Sequence, residues 1–446
     1  MFDSSAQQIG LRLMKALSTA TDVTYYELLV ESEQEAVYAS QKDIRGRWIH
    51  AQLLSKTNGL RLRMMVLIET GGWAECLLDP VHDEQLANLV PELLEQARNN
   101  PSTREHRTDS YSIPFRGLEI FDLRYERMDD DAREEIFSEN LERMSMSETV
   151  TPLGLWLHER ADHRYYVSSN QSAHHERSTH FTLRCEAMLT GKHKHVDKIQ
   201  MMSRRIADVG SRPIGAELVQ RLQMQLEKHP FRDDVPFLME PAVVSEIIRS
   251  ILPAFDGERI DQGLSFLCGF EGQKIASPIL HIVDDASLPN GIVSRGFDGF
   301  GVSSQLLTLV REGVFQDSYT SLRRARTTSK RPSGHYSMTG QLWPGNISLK
   351  EGRRSRNMIA ADVGPINCLT DIDGAVSVNI ATGELSFRAH VSHTSQEVNQ
   401  YVGKVRLECH IFDLLKAVKE VASDHSRYGD VDTSSWLLDG LPFQPE

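Results

Sequence analysis

Cysteine is scarce and dispersed. The 446-residue chain has five, Cys76, Cys185, Cys268, Cys368 and Cys409, and no two form a CxxC pair. Neither a zinc ribbon nor a disulfide framework is signalled; reduced, mostly buried thiols in a cytoplasmic protein are expected. Long hydrophobic runs are missing too. No stretch reaches the ~18 consecutive apolar residues of a membrane span, so no membrane association is expected. The opening MFDSSAQQ has neither the basic nor the apolar segment of a signal peptide. Positive charge is in deficit, with 49 Lys and Arg against 62 Asp and Glu, a net charge of −13. No nucleic-acid partner is expected, because phosphate binding needs a basic surface. The P-loop, GxGxxG, GxSxG and paired-aromatic RNA motifs are also absent from the sequence, as are internal repeats.

What is present is ordinary for a globular chain, 40% hydrophobic and 25% charged, with enough length for two domains. The charged stretch Glu227–Asp234, with Pro230, marks a boundary between domains at 1–230 and 235–446. In the first, Ile9, Leu13, Met14 and Leu17 mark a helix. Val23–Glu31 alternates as a strand, and Glu35–Ser40 and Trp48–Leu54 are weaker strand candidates. Gly59–Glu69 and Trp73–Leu78 flank Gly71-Gly72, a hairpin signal. Leu86, Leu89, Val90, Leu93, Leu94 and Ala97 mark a second helix. Beyond a polar loop at Asn99–Ser110 come a charged helix at Asp129–Ser147 and strands at Leu153–Trp156, Tyr165–Ser168 and Thr179–Leu189. A further helix runs through Ile214, Leu218, Val219, Leu222 and Leu226. The class is α+β: an N-terminal α/β domain with an antiparallel sheet and flanking helices, then a β-rich C-terminal domain with a central helix.

The second domain is organised by Phe237–Tyr319. Pro241 suits a first helical turn. Val243, Val244, Ile247, Ile248, Ile251, Leu252 and Phe255 then recur at helical spacing and give one apolar face, with Ser245, Glu246, Arg249 and Ser250 on the other. A buried strand at Ile279–Val283 and a hairpin through Glu312-Gly313 follow. Ser321–Thr370 shows no sustained period. A hairpin around Thr382-Gly383-Glu384, a strand at Lys404–Ile411 and a last helix through Leu414, Leu415, Val418, Val421 and Ala422 complete the chain.

Histidines cluster mid-chain and spell HExxxH twice, at His158…His163 and His175…His180. A zinc peptidase uses two neutral imidazoles as ligands and the glutamate as general base. On an ideal helix HExxxH sets its histidines ~140° apart, and on a strand it points them to opposite faces. Here the context reads as strand and turn, which favours a polar strand face over a metal site. Lys192-His193-Lys194-His195 reads as a solvated loop. Glu246 is the better-placed carboxylate, with pairing to Arg249 as its structural alternative. Asp284, Asp285 and Asp298 read as turn and cap formers. Arg323-Arg324 and Arg353-Arg354 could hold carboxylates, including a peptide C-terminus.

In order along the second domain, several motifs resemble those of the TldD/PmbA (TldD/TldE) peptidases. Gly263-Leu264-Ser265-Phe266-Leu267 with Gly272-Gln273-Lys274-Ile275-Ala276-Ser277 resembles the family's "SfL…GekvaS". Ile282-Val283-Asp284-Asp285 is similar to "vvDDp", and Phe297-Asp298-Gly299-Phe300-Gly301 sits where the family has "fDdEG". Leu309–Val314 resembles "LIenGvL", Gly345–Gly352 "pgNlyl.pG", and Thr382–Phe387 "tGdFSf". In the first domain the match is one of pattern, including "GLRLRM" for "GlavRv".

The resemblance implies a dimer enclosing a cavity and acting on flexible or precursor peptides. In it, TldD-type subunits carry an HExxxH zinc site and PmbA/TldE-type subunits lack it. It places that motif on the central helix, where this chain has Ser245, Glu246 and near Ser250. Of the family motif only Glu246 survives, and serines do not replace imidazoles on zinc. The family's late cysteine has no counterpart in Ser423–Gly429. No catalytic residue and no metal ligand are therefore assigned, and Asp298 and Gly299 are the candidate substrate-binding positions. The expected function is that of a TldE/PmbA-like subunit, with zinc supplied by a TldD-like partner and peptide as substrate. Two alternatives stay open. One is a stand-alone hydrolase with relocated ligands among His158, His163, His175 and His180. The other is a non-enzymatic peptide-binding homodimer.

Overall fold

In a computed structural model of the chain, residues 5–42, 45–100, 117–190, 195–395 and 398–446 are described. The first part is a six-stranded antiparallel sheet in the order β3-β2-β1-β4-β5-β6. Its strands are β1 (Val23–Lys42), β2 (Trp48–Ile68), β3 (Trp73–Leu78), β4 (Val150–Ser168), β5 (Gln171–Leu189) and β6 (His195–Ser203). Helices α1 (Ser5–Thr19), α2 (Asp83–Asn99), α3 (Asp130–Ser145), α4 (Ile206–Ser211) and α5 (Ile214–Met224) cover one face. Two apolar clusters lie beneath them. α1 and α2 pack on Leu28, Val30, Met64 and Tyr165, while α3 and α5 pack on Leu155, Leu157, Phe181 and Leu183.

Four of these strands are much longer than their apolar segments predict. The separate candidates at 23–31 and 35–40 are one strand, and so are 48–54 with 59–69, and 153–156 with 165–168. The charged residues between them continue the ladder on the face away from the helices. Glu31 lies opposite Arg61 and Arg164, and Glu35 opposite Arg160. Cross-strand pairs of opposite charge support such a ladder, so charge does not end the strand. Of the loop expected at Asn99–Ser110, the part beyond Asn100 lies outside the described residues, as do Lys192, His193 and Lys194.

The second part begins with β7 (Phe237–Met239) and α6 (Pro241–Ile251), followed by a 3-10 turn over Leu252–Phe255 and α7 (Gly257–Asp261). Then come β8 (Ile282–Asp285), β9 (Leu306–Arg311), β10 (Val314–Phe315), α8 (Leu322–Thr327), β11 (Asn346–Leu349), α9 (Arg356–Val363) and β12 (Ile366–Ile372). β13 (Ser377–Val378), β14 (Glu384–Ser395), β15 (Val398–His410), α10 (Ile411–Lys416) and β16 (Val418–Val421) continue the chain. It closes with β17 (Ser426–Tyr428), β18 (Val431–Thr433), β19 (Trp436–Leu438) and β20 (Gln444–Pro445). These strands form two sheets, β10-β9-β8-β11-β18-β17 and β16-β19-β7-β12-β14-β15-β20, with β13 beside β14. The stretch 321–370, without period in sequence, holds two short helices and two strands. The expected last helix is α10 alone, because Val418 and Val421 lie in β16 and pair with β19.

Helix α6 joins the two sheets. It lies against β12 of one and β17–β18 of the other. Pro241 opens it and Pro253 stands in the 3-10 turn that follows, after which Asp256 accepts the Glu258 N–H and starts α7. Val243, Val244, Ile247, Ile248 and Ile251 are buried. Each contributes about 1.5–3 kcal/mol relative to an exposed side chain, which makes the apolar face of α6 the anchor of this half.

Candidate functional site

The polar face of α6 carries Ser245, Glu246, Arg249 and Ser250, and each has a local partner. The Ser245 hydroxyl donates to the Ala242 carbonyl (2.7 Å) and is buried. The Ser250 hydroxyl donates to Ile247 O (2.6 Å). Glu246, half exposed, accepts from Arg249 Nη1 at 2.6 Å. Arg249 also donates from Nε to Asp430 (2.9 Å) and from Nη2 to the Tyr428 carbonyl (3.0 Å). One guanidinium thus ties α6 to the β17–β18 turn. Gly429 in that turn has φ +63°, and a Cβ there would stand 3.2 Å from Arg249 Nη2, so the turn needs glycine.

The surroundings follow the same pattern of arginine and carboxylate. Glu240, just before α6, accepts from Arg356 (2.7 Å), which lies 3.8 Å from Asp424. Arg221 of α5 bonds Asp197 of β6 (2.8 Å) and Asp371 of β12 (2.9 Å), crossing between the two halves. Zinc in proteins takes imidazole, thiolate or carboxylate ligands. The donors on α6 do not fit that requirement, since two are hydroxyls bonded to helix carbonyls and one is a carboxylate bonded to a guanidinium. Among the described residues, no three His, Cys, Asp or Glu side chains form a metal-holding group.

Both HExxxH spellings fall on long strands, and each is split across the sheet. His158 and His180 lie on the face away from the helices. His158 is 3.5 Å from Glu35, and His180 Nε2 is 2.6 Å from Arg204 Nη1 and 3.6 Å from Asp162. Burial and the charges of Arg204 and Arg160 hold His180 well below its usual pKa. His163 follows the opposite alternation, and His175 packs edge-on against Tyr165 on the helix side. Glu159 also faces the helices, where its carboxylate is clamped by Arg133 of α3 at 2.6 and 2.9 Å.

The face away from the helices is the contact surface for the second half. Arg164, buried, donates to Glu31 (2.7 Å), Glu176 (3.2 Å) and the carbonyls of Phe297 (2.6 Å) and Asp298 (3.1 Å). Glu176 accepts the Gly296 N–H. Arg204 donates to the carbonyls of Gly291 (3.0 Å) and Ser294 (2.9 Å). The sequence reading missed these three residues as a group. Charge of alternating sign at every second position, Arg160, Asp162 and Arg164, was the available signal.

Asp298 and Gly299 lie inside this contact. The Asp298 carboxylate accepts from Phe300 N–H (2.8 Å) and Val302 N–H (3.0 Å), capping its own turn, and burial raises its pKa despite those bonds. A Cβ on Gly299 would stand 1.9 Å from Met338 N. The structure thus places both in closed packing rather than at an open cleft. Asp284 is equally internal. It accepts from the Tyr319 hydroxyl (2.6 Å) and Gly345 N–H (2.9 Å) and lies 3.2 Å from His335. Burial opposes its charge, but His335 and these donors prevail and hold it below the usual carboxylate range. Asp285 accepts from Ser287, as a turn former does. Of the arginine pairs, Arg324 is buried on Asp261 (2.8 and 3.0 Å), and Arg354 pairs with Asp362 and Glu420.

No helix among the described residues is long and apolar enough to cross a membrane. Residues 232–444 match the PmbA/TldA metallopeptidase C-terminal domain. The chain is similar to a metalloprotease PmbA homolog of Haemophilus influenzae, 25% identical over 211 residues, 47% of this chain and 45% of that protein. It is 30% identical over 177 residues to a metalloprotease of Methanothermobacter thermautotrophicus, 38% of each chain. These matches span less than half the length of the curated relatives. The fold is that of TldE from Thermococcus kodakarensis, with a TM-score of 0.77 at 17% identity over 98% of this chain and all of the other. The matched domain, the related metalloproteases and the shared fold agree with the ordered motifs between Gly263 and Phe387, and residues 232–444 are a PmbA/TldA-type metallopeptidase C-terminal domain.

Proposed function

We propose that this chain is a TldE/PmbA-type subunit without a zinc site of its own, acting in a TldD/TldE-type metallopeptidase complex on flexible or precursor peptides. A TldD-like partner supplies the zinc and the general base, and the complex works in the cytoplasm. The observation that carries the reading is the polar face of α6. Its helix keeps the apolar anchor of the domain, but its donors are Ser245, Glu246 and Ser250, with Glu246 held by Arg249. This chain's own residues then build and stiffen a wall of the complex rather than polarise a peptide bond. The split of His158 from His163 and of His175 from His180 across a sheet weighs against a relocated site. Co-expression with a TldD-like protein from the same genome tests the proposal. An equimolar complex whose peptidase activity needs both chains is expected. Peptidase activity of this chain alone would overturn it.

A further inference from the structure

The two halves also meet where β6 and α5 of the first lie against β12, β14 and β15 of the second. Two histidines face each other across this junction, His195 of β6 and His390 of β14, edge to face with ring centroids 5.5 Å apart. His390 is 8% exposed. Its Nδ1 is 3.1 Å from the Tyr401 hydroxyl of β15, and its Nε2 is 3.9 Å from Asp373, just after β12.

The charges around the pair balance while His390 is neutral. Asp373 already holds Lys404 of β15 (3.0 Å) and Arg388 of β14 (3.5 Å). Asp197 of β6 accepts two bonds from Arg221 of α5 (2.8 Å each), and Asp371 of β12 pairs with the same guanidinium (2.9 Å). Three carboxylates thus face three cations, and each carboxylate is committed. A proton on His390 adds a positive charge beside Lys404 and His195 that none of these carboxylates is free to offset, in a place largely cut off from water. Burial, Lys404 and His195 accordingly hold the His390 pKa down at about 4, against the pull of Asp373 and Asp197.

This junction is more lightly fastened than the contact on the outer face of the first sheet. There, the buried Arg164 and Arg204 bond the carbonyls of Phe297, Asp298, Gly291 and Ser294. Here, the ionic tie is Arg221 to Asp371, whose side chains are 22% and 29% exposed, so water screens it. Strand β12 also packs against α6, which sets the junction beside the candidate site.

We propose that the His195–His390 pair is an acid-released latch between the two halves. Protonation of His390 parts β6 and α5 from β14 and β15, while the Arg164 and Arg204 bonds keep the rest of the contact closed. In the parted state His390 meets water and takes a proton near the ordinary 6.5, whereas in the closed state it does so only near 4. Acid therefore favours the parted state, by ~25-fold in the opening equilibrium between pH 7.5 and pH 5. The latch lies within one chain and does not depend on the subunit reading.

The test is hydroxyl-radical footprinting of the full-length chain at pH 7.5 and pH 5, read by mass spectrometry. Two side chains report the junction. One is Tyr401, and the other is Met202 of β6, whose sulfur stands 3.6 Å from where a Cβ on Gly429 would lie. The buried Tyr166 and Phe297 report the contact at Arg164. Oxidation of Tyr401 and Met202 should be at least about threefold faster at pH 5, while Tyr166 and Phe297 stay protected. His390→Gln should remove the acceleration. Circular dichroism melts confirm that the variant is folded, and His390→Asn takes its place if it is not. No acceleration in the wild-type chain, an equal one in the His390 variant, or a parallel one at Tyr166 and Phe297 overturns the proposal.

Discussion

Helix α6 and the β4–β5 hairpin each hold half of what a zinc peptidase site needs. The hairpin has the letters, HExxxH twice, on strands that send the histidines to opposite faces. The helix has the buried, rigid scaffold and carries two serines and an arginine-bound glutamate. Ligand identity and ligand direction must come from one element, and here they do not. The comparison also explains what each region does instead. The hairpin's charged residues bond the two halves of the molecule, and the polar face of α6 is tied to β17–β18 through Arg249.

The largest expected effect is on the hairpin. Arg164→Ala takes the guanidinium from the mostly covered Glu31 and Glu176, leaving Glu31 only the more distant Arg61, and frees two carbonyls of the second half. A loss of about 3–5 kcal/mol is expected in urea unfolding, the range for breaking a buried ion pair. Glu159→Ala, at the glutamate of the first HExxxH, leaves Arg133 with only the Asp129 carbonyl and the exposed Asp130 as hydrogen-bond partners and should cost roughly 3 kcal/mol. A loss of activity of the complex without loss of stability would instead assign Glu159 to chemistry.

Acid should act on the hairpin through His180 of β5 and on the second half through His390 of β14. His180 and His390 both have lowered pKa values, chiefly through burial, His390 to about 4 against an ordinary 6.5. Between those values the unfolded chain binds protons that the folded chain does not, so stability falls as pH drops from 6.5 towards about 4. The loss attributable to His390 is on the order of 2–3 kcal/mol. Urea midpoints at neutral and acid pH measure it, and His390→Gln should flatten the dependence. The smallest effect belongs to α6. Arg249→Ala removes a partly exposed cluster and should cost ~1 kcal/mol or less. A larger loss, or one confined to the assembled complex, would sharpen the role of α6 from scaffold to interface.

Much of this fold was legible. The apolar spacing of α6, the Gly71-Gly72 turn and the alternation of Phe181, Leu183 and Cys185 each reflect burial on one face, and burial writes itself into sequence period. The length of β1, β2, β4 and β5 was not legible. The middle thirds of β1 and β4 set charge against charge across the ladder while that of β2 is exposed, and a reading keyed to apolar residues ends a strand where Glu31–Glu35 or His158–Arg164 begins. Val418 and Val421 fit a helical period by spacing but pair with Leu438 and Trp436, a long-range contact no local pattern carries. At the site, the absence of imidazoles on α6 could be read directly. The closed packing of Asp298 and Gly299 could not, because it depends on Met338 and Arg164, remote in sequence.

The most direct measurement is the zinc content of the purified full-length chain, alone and in complex with a TldD-like partner. The account predicts well below ~0.1 zinc per isolated chain and about one per complex, with the metal bound by the partner's donor set. About one zinc per isolated chain, lost on His175→Ala, would contradict it.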